Sequence, residues 1–474
     1  MKLAPLFFLY ALTGGVFYLF FTTEIKTPAD DITTLRLIIF LFMLPIFLKY
    51  AIQLLVAPFY KLIEAKFRHT SLPETPAKVS VMVPAWNEQV GIIKTIQSVI
   101  NTHYKHLELV IINDGSTDQT HQLIDAFISN YAAEDDACSI KYLHLENGGK
   151  AKALNEGLKH ASGEFIITID ADSVMDKNAI HELISSFSHE KVGAVAGNVI
   201  VGNRKHTLAL LQQLEYLYGF FFKRADSIFN AVYIIGGAAA AYRKSVLDKV
   251  GGFDHAIITE DIEMSTRILA QGYKTRYASD AVIYTEGPCD WKGLCQQRLR
   301  WKFGRLLTFI KHKQLFFNVK RGNPYLCFLL LPVALYAELS LLFEALLLAV
   351  FYSYTIYTQD FLPLVCIILF MTAIISLQIL IDSKARFHRN ILCLAPIAWV
   401  VFYLIDVVEL QALYRSLKRL AKRQNLEWQK WARKGLIHKS IQPRSQVNST
   451  DNMQVEPLKP ITGSEQNTNL AGGT

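Results

Sequence analysis

The chain has 474 residues, of which 51% are hydrophobic and 19% charged, with 29 Phe and a mean hydropathy of +0.22. That balance excludes a wholly soluble enzyme, a disordered scaffold and a small disulfide-stapled secreted domain, because long apolar runs must face lipid. The net charge of +8 fits a membrane surface and not nucleic acid, since the basic residues cluster beside the apolar runs.

Two apolar runs open the sequence, Leu3 to Phe21 and Leu37 to Tyr60, and each can cross ~30 Å of hydrocarbon. No small-x-small cleavage site follows Phe20-Phe21, so the first run reads as an anchor and residues 1–60 as two transmembrane helices. Lys61, Lys66 and Arg68 come next, and the positive-inside rule then places the following region in the cytoplasm.

From 78 to 318 the texture changes. Short β-branched runs at 79–83, 109–113, 140–145, 165–170 and 192–197 alternate with helical patterns at Ile92–Ile100, Thr120–Asn130, Lys150–His160 and Asn178–Phe187. Strand and helix alternating at this spacing predict one α/β domain, a mostly parallel sheet with helices on both faces.

Apolar runs resume at Tyr325–Tyr354, Phe361–Ile381 and Ile391–Leu413, predicting a C-terminal transmembrane region over 325–413 of about three spans. Glu338 and Glu344 in the first run point to a protein interior or polar cavity. Asp406 and Glu409 make the last run the weakest span. The tail, 414–474, is basic as far as Lys434 and then Gln/Asn/Ser/Thr/Gly-rich and disordered in composition. Three crossings from a cytoplasmic domain would leave the basic tail outside, whereas its charge favours the inside, so the sequence leaves this topology open. The six cysteines show no zinc-ligand spacing and read as reduced structural thiols.

In an open parallel sheet, ligands bind at the carboxyl ends of the strands. Three predicted strands end in polar clusters: Pro84-Ala85-Trp86-Asn87-Glu88, Asp114-Gly115-Ser116-Thr117-Asp118 and Asp170-Ala171-Asp172. Two carboxylates two residues apart past a buried strand can share a divalent cation, Mg2+ or Mn2+, with a nucleotide diphosphate, and that cation neutralises a phosphate leaving group. Gly148-Gly149-Lys150 opens a helix whose free N–H groups and lysine suit an anion. Ile258-Thr259-Glu260-Asp261 places acids at a loop-to-helix junction, where a base for a sugar hydroxyl is needed. Gln297-Arg298-Leu299-Arg300-Trp301 offers a cation for a diphosphate and a flat face for a sugar.

Each motif has an ordinary structural explanation alone. Their order, Asp114, Asp170-Ala171-Asp172, Thr259-Glu260-Asp261 and Gln297-x-x-Arg300-Trp301, resembles the signature of processive family 2 glycosyltransferases. The resemblance covers about residues 78 to 310, and the flanking membrane segments and compact size look most like the bacterial poly-β-1,6-N-acetylglucosamine synthases. It implies a glycosyltransferase-A-type domain in a multi-pass bacterial inner-membrane protein. The activity implied is inverting transfer of a sugar, GlcNAc for preference, from a UDP-sugar to a growing β-linked polysaccharide, with coupled export.

By the same resemblance, Pro84, Glu88, Asp114, Lys150 and Asp170 hold the nucleotide sugar and Asp170 with Asp172 the metal. Asp261, with Glu260 beside it, supplies the base. Gln297, Arg300 and Trp301 close over diphosphate and acceptor, and the segment Gly237 to Arg243 resembles an acceptor-lining strand. The partners implied are the UDP-sugar, the acceptor, membrane lipid and a small membrane subunit, with no nucleic acid. A single transfer onto a lipid acceptor and a non-catalytic membrane scaffold are the alternatives.

Overall fold

The computed structural model describes residues 11, 15, 18, 30–67, 76–131, 138–318, 320, 322–426, 431 and 433–436. The expected helix at Leu3–Phe21 and the polar tail after 436 therefore fall outside the described residues, apart from three isolated helical positions in the former.

An apolar helix, α1 (Asp30–Val56), leads through a single 3-10 turn into α2 (Tyr60–Phe67). The domain follows: β1 (Val79–Ala85), α3 (Ile92–Ile100), β2 (Leu107–Asp114), α4 (Thr120–Asn130), β3 (Cys138–Leu145), α5 (Lys150–His160) and β4 (Phe165–Thr168). Every residue of β2 is buried, as is nearly all of β1, which is the pattern of central parallel strands covered on both faces. After the short β5 (Val174–Met175) come α6 (Ala179–Ser185), β6 (Val192–Val201) and the long α7 (Thr207–Ile228). The domain closes with β7 (Ala240–Arg243), α8 (Lys244–Val250), α9 (Glu260–Ala270), β8 (Lys274–Thr285) and α10 (Trp291–Lys311).

The eight strands form one sheet in the order β3-β2-β1-β4-β7-β6-β8-β5. Pairs β1/β2, β1/β4, β2/β3 and β6/β8 are parallel. Pairs β4/β7, β6/β7 and β5/β8 are antiparallel. The sheet is thus mixed and mostly parallel, with the reversal at β7, a strand whose Ala-rich sequence carries no strand periodicity. The central strands reach their carboxyl ends together, which brings residues 84–88, 114 and 170–172 to one rim.

Behind the sheet lie α11 (Leu331–Thr358), entered through a π-helical turn at Tyr325–Leu330, then α12 (Leu362–Ile381), the short α13 (Ala385–His388) and α14 (Ala398–Ala421). Among the described residues, four segments are long and apolar enough to cross a membrane: Leu37–Ala65, Tyr325–Thr358, Leu362–Ile381 and Ala385–Ala421. The joint between domain and helices is α7. Its Leu214 and Leu217 pack on Ile375 and Ile379 of α12 and on Val401 and Ile405 of α14. Phe221, Phe222 and Ala225 pack on Leu54 of α1.

Candidate active site

One cavity of about 720 Å³ opens at the rim of strand ends and runs inward between α7, α10 and α11. Pro84, Glu88, Asp114, Lys150, Asp170, Asp172, Glu260, Asp261, Gln297, Arg300 and Trp301, residues from six separate stretches of sequence, all line it.

The first wall is the loop after β1, laced to the loop after β2. Asn87 Oδ1 accepts from the amides of Thr117 (2.7 Å) and Asp118 (3.2 Å), and the Glu88 amide donates to Thr120 Oγ1 at 2.8 Å. Asp114 points at the start of α5, where its carboxylate accepts from the amides of Gly148 (2.8 Å) and Gly149 (2.9 Å). The sequence offered those two N–H groups to an external anion. The structure gives them to an internal one, so Asp114 fixes the Gly-Gly entry of α5 and with it Lys150.

Lys150 Nζ stands 2.7 Å from Asp170 Oδ1 and 2.9 Å from Glu260 Oε1. Burial works against its charge, but Asp170, Glu260 and Asp261 outweigh that and hold the ammonium above the ordinary lysine range. Burial likewise opposes ionisation of Asp170, and Lys150 overcomes it, so the carboxyl lies below its ordinary value. Glu260 is pushed up, chiefly by burial. Gly237 fills the space between these groups. A Cβ built there would lie 2.6 Å from Lys150 Nζ, 3.6 Å from Asp170 Oδ1 and 3.7 Å from Asp261 Oδ2. The carboxylate at the end of β4 and the one on α9 therefore converge on a single point that only glycine leaves open.

Asp261 sits in the first turn of α9, with Ile262 N donating to its Oδ1 at 2.9 Å. Two residues on, Glu263 is fully buried and meets Arg267, Lys311 (2.7 Å) and His312 (3.0 Å). Burial alone would raise its carboxyl, but His312, Arg267 and Lys311 prevail and hold it at about 2. This node ties α9 to the end of α10. At the other end of the contact, Gly304 of α10 lies so close to Thr259 that no Cβ would fit. The Thr259-Glu260-Asp261 and Gln297-x-x-Arg300-Trp301 motifs are thus parts of one packed pair of helices.

Residues 76–304 match the family described as "Glycosyltransferase like family 2". This region is a family 2 glycosyltransferase domain. Two curated relatives are poly-β-1,6-N-acetyl-D-glucosamine synthases. The Staphylococcus epidermidis protein is 36% identical over 251 residues, 52% of this chain and 58% of the relative. That of Staphylococcus aureus (strain COL) is 35% identical over 229 residues, 48% of this chain and 54% of the relative. The chain spans little more than half the length of these relatives. Among solved structures, a mannosyltransferase from Pyrobaculum calidifontis in complex with GDP-Man and Mn2+ has a similar fold, with a TM-score of 0.50 at 19% identity. The match covers 81% of this chain and 99% of that one.

The carboxylates at the end of β4 in the family 2 domain suit a hard divalent cation. Asp170 and Asp172 offer oxygen only, and no group of three or more His, Cys, Asp or Glu side chains gathers among the described residues. A cation held by one or two carboxylates completes its shell from phosphate and water, the usual arrangement for Mg2+. Each carboxylate faces a side-chain cation instead, Asp170 the Lys150 ammonium and Asp172 the Arg433 guanidinium at 2.6 Å.

Arg433 belongs to the segment that the sequence marks as a basic tail. It also reaches Glu88 at 3.2 Å, while the amides of Lys434 (2.6 Å) and Gly435 (3.0 Å) donate to Glu286. Trp431 is buried against Gly293, with the Arg300 guanidinium 5.3 Å from its ring. Glu286 directly follows the long strand β8, so the strand-end rule that found Asp114 and Asp170 could have found it. Nothing in a Lys/Arg run distinguishes Arg433. Of the Gly237–Arg243 segment, Gly237 and Ala238 line the cavity. The Arg243 side chain leaves it for Glu164 at 3.1 Å, at the opposite end of β4.

Proposed function

We propose that the chain is an inverting membrane glycosyltransferase that transfers GlcNAc from UDP-GlcNAc to a growing β-linked polysaccharide and passes the product out between its helices. The observation that carries this reading is the convergence at Gly237, where the donor-side Asp170, Lys150 and the acceptor-side Asp261 border one opening. The identity with two synthases of this polymer supports the choice of sugar.

In this mechanism the loop after β1 and Asp114 seat the nucleotide, and Lys150 and Arg300 face the diphosphate. Mg2+ or Mn2+ on Asp170 and Asp172 would offset the charge of the departing UDP. Asp261 removes the proton of the acceptor hydroxyl as its oxygen bonds to the anomeric carbon. The bond from that carbon to the diphosphate oxygen breaks on the opposite face, so configuration inverts. Glu260, neutralised by Lys150, keeps the base helix at the cavity wall. Trp301, 6.3 Å from the Tyr216 ring, gives the acceptor sugar an apolar face. Burial of Arg300 and Gln297 keeps bulk water from the reacting carbon.

The domain lies on the cytoplasmic face of a bacterial inner membrane, by the basic residues after the first described span. The contact between Arg433 and Asp172 supports a tail that starts on the domain's own side. An even number of crossings then separates α10 from Trp431, which suits α11 and α12 as the crossing pair and α14, bound through Glu409 to Arg298 and Lys302, as a helix lying along the domain. On this reading the basic tail and the domain share one side of the membrane.

The test is incorporation from labelled UDP-GlcNAc, UDP-Glc and UDP-GlcA, supplied separately with Mg2+ to membranes holding the full chain, with and without a candidate membrane subunit. High-mass label from UDP-GlcNAc alone is the expected result. Label in a small lipid-extractable product would replace the polymerase with a single-transfer enzyme. No label from any donor in either preparation would overturn the reading.

A further inference from the structure

Beyond the strand ends, one face of α7 walls the cavity with Glu215, Tyr216, Gly219, Phe220, Lys223 and Asp226, spaced as residues on one side of a helix must be. The acids on this face are tied down. Glu215 accepts from both terminal nitrogens of Arg298 at 2.7 and 2.6 Å. Asp226 accepts from Gln53 (2.7 Å) and the Tyr325 hydroxyl (2.8 Å). Lys223 is different. Among the described residues its ammonium has no hydrogen bond and no ion pair, and lies only over the Phe220 ring at 4.0 Å. One turn earlier, a Cβ added to Gly219 would meet nothing within 4 Å. Glycine inside a helix costs about 1 kcal/mol against alanine, and no packing explains it here. The face thus has two aromatic rings, a hollow between them and one unsatisfied cation.

We propose that this face is the acceptor subsite and that Lys223 is an acceptor-binding residue. Its ammonium donates to a hydroxyl or amide oxygen of the terminal acceptor sugar, whose ring lies on Tyr216 and Phe220 with a substituent in the Gly219 hollow. The inference rests on Asp261 as the base, because it places the bound sugar's reacting hydroxyl between α7 and α9.

Electrostatics agree with the geometry. Burial pushes the Lys223 ammonium down to about 8, with Asp261 of α9 and Asp226 of α7 acting in the other direction. The cations of α10 on the neighbouring wall are paired. Arg298, Lys302 and Arg305 of α10 are neutralised by Glu215, Glu409 and Glu338. Lys49 of α1, like Lys223, lies over a ring, that of Tyr50 at 4.6 Å, but it is not among the charges that act on Lys223. Lys223 is charged below pH 8, so binding that needs its proton weakens as pH rises through that value.

The experiment uses the full chain in detergent or nanodiscs, with UDP-GlcNAc and a soluble GlcNAc oligosaccharide as acceptor. Lys223→Met is expected to raise the acceptor KM about 10- to 100-fold, the range for a lost hydrogen bond to a charged group, with donor KM and UDP-GlcNAc hydrolysis unchanged. Lys223→Arg should keep the affinity and move the alkaline limb of kcat/KM for acceptor upward from about pH 8. It decides the matter even where the methionine variant does not fold. An unchanged acceptor KM in Lys223→Met, or a limb that stays at pH 8 in Lys223→Arg, overturns the role of Lys223 alone. Absence of transfer by the unmodified chain overturns the reading on which it rests.

Discussion

Arg433 stands 2.6 Å from Asp172, so a residue from beyond the last helix pairs with a carboxylate proposed to hold a divalent cation. Arg433 also meets Glu88. Removing it leaves two buried acids less well neutralised, which favours a cation at Asp172. Arg433→Ala is expected to lower the Mn2+ concentration for half-maximal transfer several-fold, and to tighten Mn2+ binding read directly by electron paramagnetic resonance. EDTA should abolish transfer in both proteins, with Mg2+ or Mn2+ restoring it.

Gly237→Ala places a methyl where Lys150 Nζ lies. The lysine end is flexible and can move, so the fold survives, but the contact of 2.7 Å with Asp170 cannot. The donor KM should rise about tenfold, with a melting temperature within a few degrees of the parent and circular dichroism unchanged.

Glu263 lies two residues past Asp261 and holds α9 to α10. Glu263→Gln keeps its shape and removes its charge, loosening the contacts to Lys311 and His312. A tenfold fall in kcat with donor KM unchanged is expected, because the base is displaced while the nucleotide site is not. An equal rise in donor KM would mean that the node supports the whole domain.

Glu108 is fully buried on β2. Burial would raise its carboxyl, but hydrogen bonds from Ser80, Ser162 and Lys141 hold it at about 2, against 4.5 for the free group. A carboxyl depressed on folding stabilises above its unfolded value and loses that contribution as pH falls towards the folded one. The shift corresponds to about 3 kcal/mol. Glu108→Gln should lower the melting temperature at pH 7, and the difference from the parent should shrink between pH 4.5 and pH 2.

What the sequence carried, and what it hid, follows from local against distant causes. Helices α3, α4 and α5 match the expected patterns at both ends because one apolar stripe in each faces the sheet. Asp114 and Asp170 drew notice because a polar residue after a buried run has few reasons to be there, and Asp261 because it lies at a loop-to-helix junction; the structure places all three on one cavity. Strand β7 was not, since Ala238 to Ala241 has no alternation and becomes a strand only by pairing with Phe165–Thr168. The role of Gly148 and Gly149 was misread because their anion, Asp114, lies on another strand. Arg433 was hidden for a similar reason: a cation in a basic run looks solvated until the fold brings Asp172 and Glu88 to it. Lys223 sat in an amphipathic stretch, and only the cavity shows that its charge faces no partner.

The most direct test of the central claim compares polymer mass and label from UDP-GlcNAc in membranes carrying the unmodified chain or Asp261→Asn, with UDP binding measured on both. The account predicts high-mass product from the first, a loss of about 10³-fold or more in the second, and equal affinity for UDP. Polymer synthesis undiminished in Asp261→Asn would contradict it, since Asp261 is the group to which the account assigns the proton of the acceptor hydroxyl.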